Sequence, residues 1–270
     1  MPEDAAIQNA DQPRTVASLS ADLRMLGLRE GMVVLVHSSL SSLGWVVGGA
    51  QAVIQALAQI LGESGTLVMP AYCTDNTEPR DWREPPIPEA WWQTVRDHMP
   101  AFDPRQTPTR EMGKIAETFR SWPGVQRSSH PATSFCAWGK LAEVITRDHS
   151  LENGFGESSP LARLYDAHGQ VLLLGVGHDR NSSLHLAEHR SDWPRKRTFE
   201  QGTAMLVEGR RTWVCFKNLF SEAHDFGLMG ADFDAAGGTQ IGKIGGATAK
   251  LMSQVALVDF GVKWIWEKRR

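Results

Sequence analysis

The sequence predicts an α/β fold, a single domain with a central mixed, partly parallel sheet flanked by helices, and three observations carry that reading. Runs of β-branched and aliphatic residues at Val33 to Val36, Thr66 to Pro70 and Val171 to Val176 lack the polar alternation of a half-exposed strand, and so suit strands buried on both faces. Segments with apolar residues at helical spacing separate these runs. No repeat or linker divides the chain, and its 270 residues, with 41% hydrophobic side chains, suffice for a sizeable core.

Taken in order, residues 1–14 are polar with two prolines and are expected to form a frayed tail ahead of a domain spanning 15–270. Leu19, Leu23 and Leu26 follow helical spacing, and Gly27 stands where a C-terminal cap belongs. The strand Val33 to Val36 ends in polar His37-Ser38-Ser39. After Gly48-Gly49, a second helix presents Val53, Ile54, Leu57, Ile60 and Leu61 on one face, and the strand Thr66 to Pro70 follows. This β-α-β unit opens both strand ends, His37-Ser38-Ser39 and Ala71-Tyr72-Cys73, at one edge of the sheet, where ligands bind in such folds.

Residues 73–108 combine prolines, polar groups and the aromatic cluster Trp82, Trp91 and Trp92, with a short helix expected over Glu89 to Arg96. A loop of that length in a compact domain is usually functional or disordered. Gly113 to Arg120 reads as a helix, Ala132 to Trp138 as a strand and Lys140 to Arg147 as a helix. A helix over Asn181 to Arg190 follows the strand Val171 to Val176. A hairpin pairs Ala204 to Val207 with Thr212 to Phe216, and from Ala247 onward the pattern reads as helical, with Lys268-Arg269-Arg270 complementing a helix C-terminus.

Charge and composition exclude several classes of function. Lys+Arg 28 against Asp+Glu 31 leaves a net charge of -3, without the basic excess of a nucleic-acid footprint, so no nucleic-acid partner is expected. No stretch approaches the about 18 consecutive apolar residues of a membrane span. The opening segment MPEDAAIQNADQPR lacks the layout of a signal peptide, so the expectation is a cytoplasmic protein without membrane contact. Cys73, Cys136 and Cys215 are odd in number and widely spaced, which suits neither a disulfide framework nor a metal knuckle.

The motifs narrow the chemistry further. Gly175-x-Gly177 follows a strand, but Arg180 stands where a dinucleotide fingerprint needs its third glycine, and no Walker lysine pattern occurs. Beyond it, His185-Leu186-Ala187-Glu188-His189 places His185 and Glu188 on one helix face, one turn apart. The plain alternative is a surface helix with polar residues there by chance. The pentad also matches H-x-x-E-H, in which His185 and His189 would bind zinc in a hydrolase, with Glu222 or Asp225 as a third ligand.

A wider match joins these pieces. The blocks Val36-His37-Ser38-Ser39-Leu40, Gly65-Thr66-Leu67-Val68-Met69-Pro70, Arg127-Ser128-Ser129-His130-Pro131, Glu157-Ser158-Ser159-Pro160-Leu161-Ala162, Val171 to Asp179 and Leu184-His185-Leu186-Ala187-Glu188 together strongly resemble the aminoglycoside 3-N-acetyltransferases. These form an antibiotic N-acetyltransferase family distinct from the GCN5-related one, and the resemblance runs from about Asp22 to Trp266. It implies acetyl-CoA as co-substrate, an aminoglycoside amine as acceptor, antibiotic resistance as outcome and no metal. Residues 15–270 would then be the antibiotic acetyltransferase domain.

The resemblance assigns His185 as the general base that takes a proton from the acceptor ammonium, with Glu188 orienting the imidazole and Asp179 as the alternative orienter. His178 and His189 are read as ordinary polar residues. Ser38 and Ser39 stand where the family contacts the cofactor. Two helix starts, Thr109-Arg110-Glu111-Met112-Gly113 and Ser158-Ser159-Pro160, suit the CoA phosphates, with simple N-capping as the rival reading at each. A polycationic acceptor asks for acids: Asp75, Glu78 and Asp81 lie in the long loop, and Glu222 and Asp225 fall in the second acidic block where family members bind aminoglycoside amines. The plain alternative for the loop acids is a solvated acidic surface. Lys243, between glycines, looks similar to a block near the family's C-terminus. No activated cysteine or Ser-His-Asp order stands out, so direct transfer is expected, with Cys73 as a minor covalent option. A non-catalytic ligand-binding relative remains the other class.

Overall fold

Val33–Ser38 (β1) is the centre of the sheet because its residues alternate between two apolar layers: Val34 and Val36 pack on one side and Leu35 on the other, all essentially inaccessible. It runs parallel to Thr66–Pro70 (β2) on one flank and to Gln170–Leu174 (β5) on the other. The computed structural model describes residues 7–8 and 11–270, so residues 1–6 and 9–10 of the expected tail lie outside the described residues. Arg14 forms a short parallel bridge to Val46, with Arg14 N–H on Trp45 O at 2.8 Å. None of the described helices is long and apolar enough to cross a membrane.

The first helix, Val16–Leu26 (α1), starts with a reciprocal cap between Thr15 and Ser18 and buries Leu19, Leu23 and Leu26. Gly49–Leu61 (α2) carries the β1-to-β2 crossover and buries Val53, Ile54, Leu57, Ile60 and Leu61, each worth about 1.5–3 kcal/mol when fully covered. The long loop holds Trp92–His98 (α3) and is followed by Gly113–Arg120 (α4), whose Ile115, Ala116 and Phe119 join the same apolar layer as α1 and α2. Gln126–Arg127 (β3) and Phe135–Gly139 (β4) are antiparallel additions beyond β2, and Ala142–Thr146 (α5) and Pro160–Asp166 (α6) follow. Ser183–Arg190 (α7) comes after β5 and belongs to the opposite layer, through Leu184, Leu186 and Ala187.

Thr198–Val207 (β6) and Arg210–Leu219 (β7) form a separate two-stranded sheet, in which β6 starts earlier than expected and β7 extends past both expected ends. Phe226–Ala235 (α8) then leads to Thr239–Ile244 (β8), Ala247–Ser253 (β9) and Gln254–Lys268 (α9). The main sheet has seven strands in the order β3-β4-β2-β1-β5-β9-β8, parallel at its centre and antiparallel toward both edges, which is the mixed sheet expected.

The segment from Ala247 corrects the sequence reading. It is a strand as far as Ser253, with Ala247, Ala249 and Leu251 buried at period two, and becomes helical only at Gln254. Ala, Lys, Leu and Met favour helices locally, but pairing along β5 from Gln170–Ser253 to Leu174–Ala249 overrides that preference. The fold has three layers, with α1, α2 and α4 on one face of the sheet and α6, α7, α8 and α9 on the other.

Candidate active site

The order of the central strands sets the site. β1 and β5 stay paired to their carboxyl ends, but the chain leaves β1 toward α2 on one face and β5 toward α7 on the other, which opens a crevice between the two connections. A cavity of about 1030 Å³ opens there, lined by His37, Ser38 and Ser39 after β1, Pro70 and Tyr72 after β2, Val176 after β5, and Ser182 and His185 on α7. Two glycines shape its walls. Gly175, at φ +71°, turns the chain off β5, and a Cβ there would stand 1.8 Å from Ser42 Oγ. Gly113, at φ +80°, opens α4 near Ser38 O, and Met112 supplies no side-chain cap to the open first N–H groups of α4.

His185 and Glu188 meet as the helical spacing suggested: His185 Nδ1 is 2.8 Å from Glu188 Oε2. Glu188 is fully buried. Burial alone would raise its pKa, but hydrogen bonds and charge from His185, together with hydrogen bonds from Arg269 and the Glu222 N–H, hold the carboxyl below its usual range. An ionised Glu188 accepts, so His185 Nδ1 donates and Nε2 is the ring nitrogen left outside the pair. Among the described residues no protein group bonds Nε2. Phe155 stacks on the imidazole at 4.4 Å and 13°, and Phe226 closes it from another side at 4.8 Å. Asp179, the alternative orienter, lines the cavity but pairs with Arg180 at 3.2 Å instead.

A second histidine lies behind the first. His37 is buried, and desolvation together with the charge of His185 pushes its pKa down to about 3. Neutral His37 accepts the Ser182 N–H at Nε2, 3.3 Å away, and the Ser182 hydroxyl bonds the Tyr72 hydroxyl. Burial raises the Tyr72 pKa, so that phenol stays protonated. Sequence reasoning passed over Tyr72, Asn181 and Ser182 as site residues, although Tyr72 stood at the strand end already singled out.

The other expected site residues divide into two sets. Ser38, Ser39 and Gly113 line the cavity, joined by Lys114, which the sequence reading omitted. Thr109 instead gives its N–H and hydroxyl to Glu117 at 2.9 and 2.7 Å, and Arg110 lies beside Asp75 at 3.6 Å. Ser159 is buried and caps α6 by accepting the Leu161 N–H, and neither it nor Ser158 lines the cavity. Lys243 reaches Thr248 across the β8–β9 pair at 2.9 Å.

The acidic residues expected around the acceptor are mostly occupied internally. Glu78 is buried in a forked pair with Arg96, and Asp225 in another with Arg269 at 2.6 and 2.8 Å. Asp75 is half exposed, and the nearest cation to Asp81 is Arg80 at 3.9 Å. Glu222 gives its backbone N–H to Glu188 Oε1 at 2.8 Å, leaving its side chain outside that network. The pairing of Asp225 also removes it as a zinc ligand, and among the described residues no group of three His, Cys, Asp or Glu side chains could hold a metal ion.

A histidine held by a buried carboxylate, at the carboxyl edge of an α/β sheet and lining a cavity of this size, marks the candidate site of an enzyme acting on small molecules. Residues 35–266 match the family model described as aminoglycoside 3-N-acetyltransferase, and the chain belongs to that family, as its motif blocks implied. It is 46% identical to the SPbeta prophage-derived aminoglycoside N(3')-acetyltransferase-like protein YokD of Bacillus subtilis (strain 168), over 96% of this chain and 94% of that protein. The crystal structure of aminoglycoside acetyltransferase AAC(3)-Xa superposes with a TM-score of 0.92 at 35% identity, covering 99% of this chain and 98% of the other. A structure of AAC-IIIb in binary complex with CoASH gives 0.85 at 33% identity, covering 94% and 97%.

Proposed function

We propose that the protein transfers the acetyl group of acetyl-CoA to the 3-amino group of an aminoglycoside by direct attack within a ternary complex, with His185 as general base. The observation that carries the reading is the His185–Glu188 contact facing the cavity at the sheet edge. Family membership and the CoASH-bound relative support the donor, and the family description supports the acceptor. The cavity volume of about 1030 Å³ is at the upper end of the about 300–1,000 Å³ typical of small-molecule sites, which suits two co-substrates meeting.

In this mechanism the acceptor ammonium loses one proton to solvent, and His185 Nε2 takes a second proton from the same nitrogen as it attacks. The freed amine nitrogen attacks the thioester carbonyl, an N–C bond forms and the C–S bond breaks. The thiolate leaves and recovers the proton as CoASH. Glu188 stabilises the imidazolium through Nδ1–H. Ser38, Ser39, Lys114 and the open N–H groups of α4 face the donor's phosphates. Nothing in this scheme requires an acyl-cysteine: burial raises the pKa of Cys73, and its thiol is held between Arg127 and Pro108 O.

Acetyl-CoA turnover against a panel of aminoglycosides, with mass spectrometry and NMR locating the new amide, tests the assignment. His185→Ala is expected to lower kcat by about a hundredfold or more while both substrates still bind. His189→Ala should be mild. Near-normal kcat for His185→Ala at saturating acceptor would overturn the mechanism, as would stoichiometric zinc whose removal by a chelator abolished turnover.

A further inference from the structure

Arg269, the residue capping the C-terminal end of α9, is 81 positions from Glu188 in sequence yet is only 3% exposed and lies directly behind it. Its Nη1 donates to Glu188 Oε1 at 2.8 Å, the carboxylate oxygen that His185 does not use. Its Nε and Nη2 donate to the two oxygens of Asp225 at 2.8 and 2.6 Å, and Nη2 also reaches Glu222 O at 2.7 Å. Trp193 lies under the guanidinium at 5.2 Å. One planar cation therefore joins the base pair on α7 to the segment entering α8.

We propose that Arg269 is a positioning residue of the transfer reaction, which holds Glu188 Oε2 toward His185 and takes up part of the carboxylate charge that would otherwise keep a proton on the imidazole. This rests on His185 as the base. The argument is geometric. Glu188 has one oxygen for the imidazole and one for the guanidinium and Glu222 N–H, so its plane is fixed from behind. Asp225 competes for the same guanidinium, so Arg269 divides its charge between two carboxylates. Lys would supply a point charge without the fork that satisfies four acceptor oxygens at once.

The charged and titratable groups facing the pair are His189 on α7, His37 on β1, Lys196 after α7, and Glu222, Asp225 and Arg269 behind. Of these, Arg269 and Asp225 change the balance on Glu188 in opposite directions. Arg269→Gln leaves the Glu188 charge uncompensated, so the acid limb of kcat/KM should move to higher pH by about one unit. Asp225→Asn leaves the guanidinium to Glu188 alone, so the same limb should move to lower pH. NMR titration of the His185 imidazole without substrates should follow both shifts. Arg269→Lys should recover the pH profile in part and the kcat less well.

A purely structural role would lower stability and activity in both charge variants with an unmoved limb, and that result, or two shifts of the same sign, overturns the proposal. Should Arg269→Gln not accumulate as folded protein, the Asp225→Asn profile and titration decide it alone. The two ideas fail separately. An active His185→Ala removes the base, whereas an inactive His185→Ala with unmoved limbs in the charge variants removes only the role of Arg269.

Discussion

At the scale of single residues, the site is built from groups whose protonation is fixed by what surrounds them. Glu188 is ionised inside the protein because three groups, His185, Arg269 and the Glu222 N–H, compensate its burial, and burial of His37 has no such compensation. Removing one partner of a buried, hydrogen-bonded charge set typically costs about 3–5 kcal/mol, so Glu188→Gln should lower the melting temperature as well as activity. It keeps the side-chain shape but removes the charge that stabilises an imidazolium. The expected kcat lies between wild type and His185→Ala, with KM for acetyl-CoA near wild type. A Glu188→Gln enzyme with full kcat would show that orientation of His185 does not depend on that carboxylate. His185 and Glu188 were legible in sequence because one helical turn is local geometry. Arg269 was not, since its basic neighbours made it look like a helix-dipole partner, and only the tertiary fold brings α9 against α7.

At the scale of elements, the long loop and α4 divide the expected binding residues by what holds them. Arg127 ties the loop to the sheet through Ala71 O, Thr107 O and Cys73 Sγ, which explains its place in a recognisable motif without any ligand contact. Within the loop, Glu78 and Asp75 look alike in sequence, but one is buried with Arg96 and the other is half exposed. Glu78→Lys should therefore lower stability, as loss of a buried pair does. Asp75→Lys should leave stability unchanged and raise acceptor KM, with the penalty shrinking at high salt because exposed charges are screened over about 10 Å at 0.1 M. An Asp75→Lys acceptor KM equal to wild type at low salt would remove the loop from the acceptor site.

The start of α4 makes the matching claim for the donor. Lys114 lines the cavity, whereas Arg110 is engaged by Asp75 and the Glu84 carbonyl. Lys114→Ala should weaken acetyl-CoA several-fold and a donor truncated to acetyl-pantetheine hardly at all, with Arg110→Ala the milder of the two variants. Equal losses on both donors would mean that Lys114 does not meet the phosphates. Sequence reasoning singled out Arg110 at this helix start, whereas Lys114 is the cation on the cavity wall, and the αL turn at Gly113 that precedes it has no local signature in a single sequence.

At the scale of the whole molecule, the three central strands were readable because they are apolar throughout, and the sheet's edges were not. β3 is two residues long, β8 is largely exposed and β9 is written in helix-favouring residues, so only pairing of β3 with β4, β9 with β5 and β8 with β9 makes them strands. The same packing encloses polar groups that set the pH range of the fold. His130 and His149 are buried side by side with their rings 4.9 Å apart. His130 Nδ1 accepts the Ala132 and Thr133 N–H groups, and His149 Nε2 donates to Gly154 O, which anchors the segment carrying Phe155 onto His185.

Desolvation is the largest cause of low pKa values in His37, His130 and His149, taking His37 to about 3, His130 to about 4 and His149 well below its ordinary value. In the unfolded chain each titrates near 6.5, so below that pH the unfolded state binds more protons and stability falls as pH falls. The loss begins near pH 6.5 and continues down to the folded values, at about 1.4 kcal/mol per pH unit for each histidine once its unfolded form is fully protonated. His189, taken to about 4 chiefly by burial, adds to the same trend, so stability is expected to fall more and more steeply as pH drops below about 6.5. Urea denaturation between pH 8 and 4.5 measures it directly. The midpoint should be flat above pH 7 and drop steeply below 6, less steeply in a folded His130→Asn variant, and a midpoint independent of pH down to 4.5 would mean that these histidines are not buried neutral.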